Sequence, residues 1–270
     1  MDVISCESLT KRFGPTIAVS ELDLTVSSGL VYGFLGPNGA GKTTTIRMLL
    51  GLIAPSAGQI RLLGRRLPDP LAVAQAGSMI EEPAFYPWMT GRVNLEVLGA
   101  TGGGCAPGEV GRVLGLAGLS EVAARKVKNY SQGMRQRLGI AAAMLGRPRL
   151  LIVDEPTNGL DPAGIREIRG LLRGLAAEGT TVFLSSHLLA EVEQVCDRVA
   201  VIVRGRLVEE GAPATLGAIR RRVRVEVRAA DSGDSSPRRR SQQARCCSHS
   251  WSPAFRASGS SLRRRSCRPG

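Results

Sequence analysis

The stretch LVYGFLGPNGAGKTTTIRMLLGL, residues 30–52, decides the fold. LVYGFL is a continuous apolar run of the kind that forms a strand buried on both faces. KTTTIRMLLGL then reads as a helix closed by Gly51. Between them GPNGAGKT satisfies G-x-x-x-x-G-K-[ST] in the strand-to-helix setting where that motif holds phosphate. Its glycines let backbone N–H groups converge on phosphate oxygens, and the helix start adds its positive dipole end. Lys42 places a point charge at the β- and γ-phosphates. The Thr43 hydroxyl is an oxygen ligand of the kind Mg²⁺ favours. The candidate nucleotide-binding residues here are Gly36, Pro37, Asn38, Gly39, Ala40, Gly41, Lys42, Thr43 and Thr44. A glycine-rich turn with no ligand is the competing reading, and the flanking strand and helix weigh against it.

Working outward, residues 3–9 and 17–26 are predicted as short strands, and GQIRLLG as another. Residues 90–145 show a helical pattern interrupted by TGGGCAPG. RLLIVD follows as a second doubly buried strand. DPAGIREIRGLLRGLAAEG is a helix with Asp161 as N-cap and Pro162 in its first turn. TTVFLSS and HLLAEVEQVCD continue the alternation, and VAVIVRGRLVEEG turns at Arg204-Gly205 like a hairpin. Strands alternating with helices predict an α/β protein with a parallel core sheet. The block at about 85–147 is expected as an inserted helical subdomain.

Two carboxylates end the strand LLIVD. Asp154 is placed to hold Mg²⁺, directly or through water, and Glu155 to polarise an attacking water. By itself that pair is an ordinary acidic strand-to-loop junction; the phosphate loop upstream gives it meaning. His187 ends TVFLSS at the carboxyl edge of the same sheet, within reach of a γ-phosphate.

The net charge is +13, but residues 220–270 hold fourteen arginines and three acids and so supply +11 of it. The remaining residues are nearly neutral and offer no basic groove, so no nucleic-acid partner is expected. From residue 232 onward serine and arginine make up more than half of the chain, without valine or isoleucine. Such a segment cannot bury enough apolar surface to offset its ordering entropy, which predicts disorder. It reads either as a basic tail drawn to an anionic membrane surface or as an out-of-frame end; the lack of any period favours the second. The six cysteines show no C-x-x-C pair, so neither zinc nor a disulfide framework is expected. The longest apolar run is far short of the ~20 residues of a membrane span, and no signal peptide heads the chain. A cytoplasmic protein is expected.

The order of KRFG with Phe13, the phosphate loop, SMIEEP, YSQGM, LLIVDEPTNGLD and His187 resembles the ATP-binding subunits of ABC transporters over residues 1–215. The resemblance implies a P-loop NTPase fold of the ABC ATPase type. That fold has a parallel-sheet core, an N-terminal antiparallel β subdomain and an inserted α-helical subdomain. The ATPase domain is expected over residues 1–219. It implies that two subunits, identical or paired, sandwich two ATP molecules head to tail. Each ATP rests on one subunit's phosphate loop and is covered by the other's Ser131, Gln132 and Gly133. In this picture Glu155 is the general base or water-orienter, His187 steadies the γ-phosphate, Asp161 communicates across the interface, and Phe13 stacks on adenine. The cofactors implied are ATP and Mg²⁺, with Thr43 and Asp154 on the metal. A separate transmembrane permease is implied, holding the ATPase at the inner face of the membrane. The aromatic run Phe85, Tyr86, Pro87 and Trp88 lies where the permease-docking cleft is expected; an aromatic mini-core is the alternative.

Two departures from the family pattern stand out. Glu81 replaces the usual glutamine between core and helical subdomain; it can still contact Mg²⁺ or water but cannot donate as an amide does. Met134 follows the signature glycine where an amide side chain is usual. The first of these, with GLDPAGIREIR, resembles the subgroup of bacitracin-resistance and other drug or peptide exporters. A non-transport ABC-type ATPase of DNA or ribosomes is the rival expectation, and a nucleotide-binding scaffold without turnover a third.

Overall fold

The computed structural model describes residues 1–81, 83–102 and 104–216. The arginine-rich tail at 220–270, with the segment from 232 onward that is expected to be disordered, lies outside the described residues. Two sheets organise the rest. The first is antiparallel, in the order β2-β1-β4-β5. It comprises β1 (Asp2–Phe13), β2 (Thr16–Ser27), β4 (Ala57–Leu62) and the two-residue β5 (Arg65–Arg66). β1 and β2 are longer than their apolar patches suggested. Their paired polar ends continue the ladder to a tight turn, where Phe13 faces Thr16.

The second sheet has six strands in the order β10-β9-β3-β8-β7-β6. β3 (Val31–Leu35), β7 (Leu150–Asp154) and β8 (Thr181–Ser186) are buried at every residue, as their uninterrupted apolar sequences predict. β6 (Ala76–Met79) pairs parallel to β7. β9 (Arg198–Val203) runs parallel to β3, and β10 (Arg206–Gly211) closes the edge antiparallel. The β9–β10 turn has Arg204 at φ 50° and Gly205 at φ 77°. That is the pair of left-handed residues a two-residue hairpin requires.

Alternate residues of the central strands feed two cores. Val31, Leu35, Leu151, Val153, Val182 and Leu184 face one way. They meet α5 (Gln132–Ala143), α6 (Pro162–Ala177) and α7 (Leu189–Val195). Tyr32, Phe34, Leu150, Ile152 and Phe183 face the other, against α1 (Lys42–Leu49) and the antiparallel sheet. The two periodicities, two for strands and 3.6 for helices, account for this sandwich. α2 (Pro70–Val73) and α8 (Pro213–Leu216) are single turns at its margins.

The stretch between β6 and β7 carries α3 (Gly91–Thr101), α4 (Glu109–Leu116) and α5, with two short 3₁₀ turns between the last two. Glu109 on α4, buried at 5% exposure, braces that helix against the end of α5. It accepts from Arg112 Nε at 3.0 Å and from Arg147 Nε at 3.4 Å, and Arg112 also donates to the Met144 carbonyl at 2.9 Å. The Arg112 hydrogen bond, more than any other influence, holds the Glu109 carboxyl below the usual carboxylate range. A depressed folded-state pKa means stability that is present above the unfolded value and lost as pH falls through the carboxylate range. Glu109→Ala should cost about 2 kcal/mol, below the fully buried case because Arg112 is partly exposed. Chemical denaturation at neutral pH and again near pH 4 checks this: the difference between variant and parent should shrink in acid.

Candidate functional site

The loop after β3 is shaped by close approaches that only glycine permits. A Cβ at Gly36 would lie 2.4 Å from the Ile202 carbonyl, and one at Gly41 2.5 Å from the Ala18 carbonyl. Gly41 also sits at φ 105°, so an L side chain there would be strained twice over. As cap of α1 it offers no side chain, which leaves the first N–H groups of the helix for a ligand. The Gly36 N–H donates to Ser186 O at 3.1 Å, tying the loop to the end of β8.

Lys42 is buried at 6% exposure and folds back over the loop. Its Nζ donates to Gly36 O at 2.7 Å and to Pro37 O at 3.3 Å. It also lies 3.2 Å from Glu155 Oε1, an ion pair by distance. The angles do not make a hydrogen bond, so this buried oxygen has no donor among the described residues. The ammonium is therefore surrounded by oxygens in the way a phosphate would surround it, with the loop carbonyls and Glu155 standing in.

Asp154, the last residue of β7, is held on both oxygens by hydroxyls. Thr43 donates to Oδ2 at 2.7 Å, and Ser185, opposite it in the ladder, to Oδ1. The same Ser185 oxygen accepts the Glu155 N–H at 3.1 Å. Glu155 itself has φ 48°, an uncommon backbone conformation for a non-glycine residue and a costly one. That turn swings its carboxylate back over the sheet edge, where Oε2 lies 2.8 Å from His187 Nδ1. Thr43, Asp154 and the adjacent Glu155 form an all-oxygen donor set, suited to a hard divalent cation.

A cavity of about 350 Å³ opens among Asn38, Lys42, Thr43, Glu155, Asn158 and His187. It gathers residues separated by about 150 positions onto one sheet edge. The other candidates lie elsewhere. Ser131 caps α5, accepting the Met134 N–H at 3.2 Å, and it and Gln132 are exposed. Gln132 Nε2 donates to Asn158 O at 3.4 Å, and Gly133 faces Gly164 and Leu160. Asp161 caps α6 through the Gly164 N–H at 3.0 Å. Phe13 is half exposed at the end of β1, with Lys11 Nζ 5.0 Å from its ring centre. Glu81, at φ 65°, is exposed and paired with Arg47 on α1, outside the cavity. Ser185 and Asn158 were not singled out from sequence; the paired serines ending an otherwise apolar strand were the available signal.

A second cavity, about 620 Å³, lies between β6, α3 and α5. Of the aromatic run, Phe85 lines it. Phe85 turns in against the core, while Tyr86 and Trp88 point out, 46% and 62% exposed, with ring centres 5.5 Å apart. Buried Asn94 pins this turn, accepting from Tyr86 N–H at 2.8 Å and donating to Tyr86 O at 3.1 Å. One ring of the run is thus core and two are surface.

The sequence pattern of the ABC transporter family matches residues 19–158, from β2 to just past the strained carboxylate. This chain belongs to the ABC transporter family. A bacitracin transport ATP-binding protein of Enterococcus faecalis is 47% identical over 211 residues, 77% of this chain and 68% of the relative. A lantibiotic transport ATP-binding protein of Streptococcus pyogenes is 38% identical, over 77% of this chain and 90% of its own. Among solved structures, cbiO1 of Clostridium perfringens, part of the ABC transporter complex cbiONQ, superposes with a TM-score of 0.74 at 26% identity. The match covers 81% of this chain and 92% of that one. This ABC protein is accordingly the ATP-binding, ATP-hydrolysing subunit of a transporter. The rival expectation of a DNA- or ribosome-directed ATPase is not favoured by these relatives. No helix among the described residues is long and apolar enough to cross a membrane.

Proposed function

We propose that this subunit drives a separate permease that exports peptide antibiotics or similar amphipathic compounds. The relatives named for bacitracin and lantibiotic transport support that cargo class. The observation that carries the ATPase part is the convergence of Lys42, Glu155 and His187 on one cavity beside an uncapped helix start. ATP displaces the stand-in contacts of Lys42, whose charge then serves the phosphates. Glu155, with one carboxylate oxygen in contact with His187 and the other lacking a donor, orients the attacking water and accepts its proton. His187 fixes that carboxylate and meets the γ-phosphate. Thr43 and Asp154 hold Mg²⁺, which when bound neutralises charge on the phosphate oxygens. Glu81, released from Arg47, is in the segment that reports on the metal and water.

Ser131, Gln132 and Gly133 lie at an exposed helix start, outside the cavity of their own chain. Their anion-binding groups serve the ATP of a second subunit, identical or paired, with Asp161 of the neighbouring helix start at the same interface. Phe13 receives the adenine ring. The permease anchors the pair peripherally at the inner face of the cell membrane.

Tyr86 and Trp88, beside the larger cavity, are the proposed permease contact. The test is co-purification with a permease, expected as a polypeptide of about six apolar spans encoded by a neighbouring reading frame. Trp88→Ala should remove most of the co-purifying permease and leave ATP turnover of the isolated subunit at the parental rate. Undiminished co-purification would sink the docking assignment.

A further inference from the structure

Glu191 has no part in the chemistry described above, yet its carboxylate touches both loops that carry that chemistry. It lies in the first turn of α7 and is buried at 9% exposure. Its Oε2 accepts from Thr157 Oγ1 at 2.5 Å and from Ser186 Oγ at 3.3 Å. Thr157 is itself buried, as is Ser186. Ser186 Oγ also accepts the Leu188 N–H at 3.0 Å, so the hydroxyl fixes the backbone on the far side of His187. One carboxylate oxygen therefore joins the turn that follows Glu155 to the turn that holds His187.

Burying a carboxylate against hydroxyls costs free energy that a pair of apolar side chains would not. Its position explains what is gained. The ladder between β7 and β8 ends at Asp154 and Ser185, and among the described residues no backbone hydrogen bond joins the two turns beyond it. Glu155 leaves that ladder in a strained conformation, and its side chain must still meet His187 at 2.8 Å. The Ser185 hydroxyl holds the near side of this arrangement and Glu191 holds the far side.

We propose that Glu191 is a positioning residue that sets the spacing between Glu155 and His187, an inference that rests on the ATPase mechanism proposed above. It touches neither substrate nor metal and acts through Thr157 and Ser186.

The experiment measures ATP turnover of the purified full chain, normalised to the fraction that binds nucleotide, alongside its melting temperature. Glu191→Ala should lower kcat about a hundredfold with little change in KM, as misplacing a reacting group by about 1 Å does. Glu191→Gln keeps an oxygen that accepts from both hydroxyls and should restore most of the turnover. Thr157→Val should reproduce the kcat loss, and Thr157→Ser should rescue it. A merely structural bond would lower melting temperature and bound fraction without this rescue pattern. A folded Glu191→Ala variant turning over at the parental rate overturns the proposal. If that variant does not fold, the Thr157 pair decides, and equal kcat for valine and serine overturns it. Glu155→Gln in the same assay separates the two levels: if it too retains turnover, the mechanism fails rather than the positioning.

Discussion

Glu155→Gln should bind ATP at close to the parental affinity and lose about 10³-fold in turnover. The substitution is nearly isosteric, so the strained turn at φ 48° and the Ser185 contact to its N–H are retained. What is lost is the charge proposed to accept a proton from water, which lies 3.2 Å from Lys42. Without that counter-charge the ammonium is freer to serve the phosphates, which further favours the bound state. ATP should therefore accumulate on the protein and hold two subunits together. Size-exclusion chromatography with light scattering should show a monomer without nucleotide and a dimer with ATP. Parental turnover by this variant would remove Glu155 from its assigned role.

Ser131→Asp should abolish at least about 10² of the turnover while leaving ATP binding by the isolated chain intact. Aspartate is as good an N-cap as serine, so the helix start and its bond to Met134 N–H keep their stability. In the proposed two-subunit arrangement the added negative charge would face the phosphates bound by the neighbouring subunit. Complementation sharpens the result. A Lys42→Ala chain has a disabled loop but a sound Ser131, and the Ser131→Asp chain has the reverse. Mixed, they form a dimer in which one of the two sites is complete, and turnover should reappear. No recovery on mixing, with both variants folded, would mean that Ser131 does not act across subunits.

How much of this was legible in the sequence depends on what each segment packs against. β3, β7 and β8 announce themselves because both their faces are buried, leaving no polar residue to blur the pattern. β6 does not, although it belongs to the same sheet. A Cβ on its Gly77 would lie 2.0 Å from the Ala143 carbonyl, so the strand must be built of small residues where α5 crosses it. Ala-Gly-Ser-Met carries little hydrophobic signal for that reason. The helical stretch after it was visible as helical, but its breaks depend on pinned turns such as the one Asn94 makes with Tyr86. At the site, the loop glycines and the apolar strand before Asp154 are written locally. The contact of Glu155 with His187 is not, because it depends on strand order in the sheet and on a left-handed residue that composition does not reveal. Glu81 shows the same limit: its ion pair with Arg47 follows from the placement of α1, not from its own neighbours.

The hairpin turn at Arg204-Gly205 has a bearing on how the chain is made. Gly205 donates to the Ala40 carbonyl at 2.9 Å and accepts from the Ser20 N–H at 2.8 Å. The nucleotide loop, encoded near the start, thus rests on a turn encoded near the end of the described residues, and β3 lies between two strands synthesised long after it. Contacts this distant in sequence form late and slowly. During synthesis the loop therefore gains these two supports only once nearly all of the described residues have emerged from the ribosome.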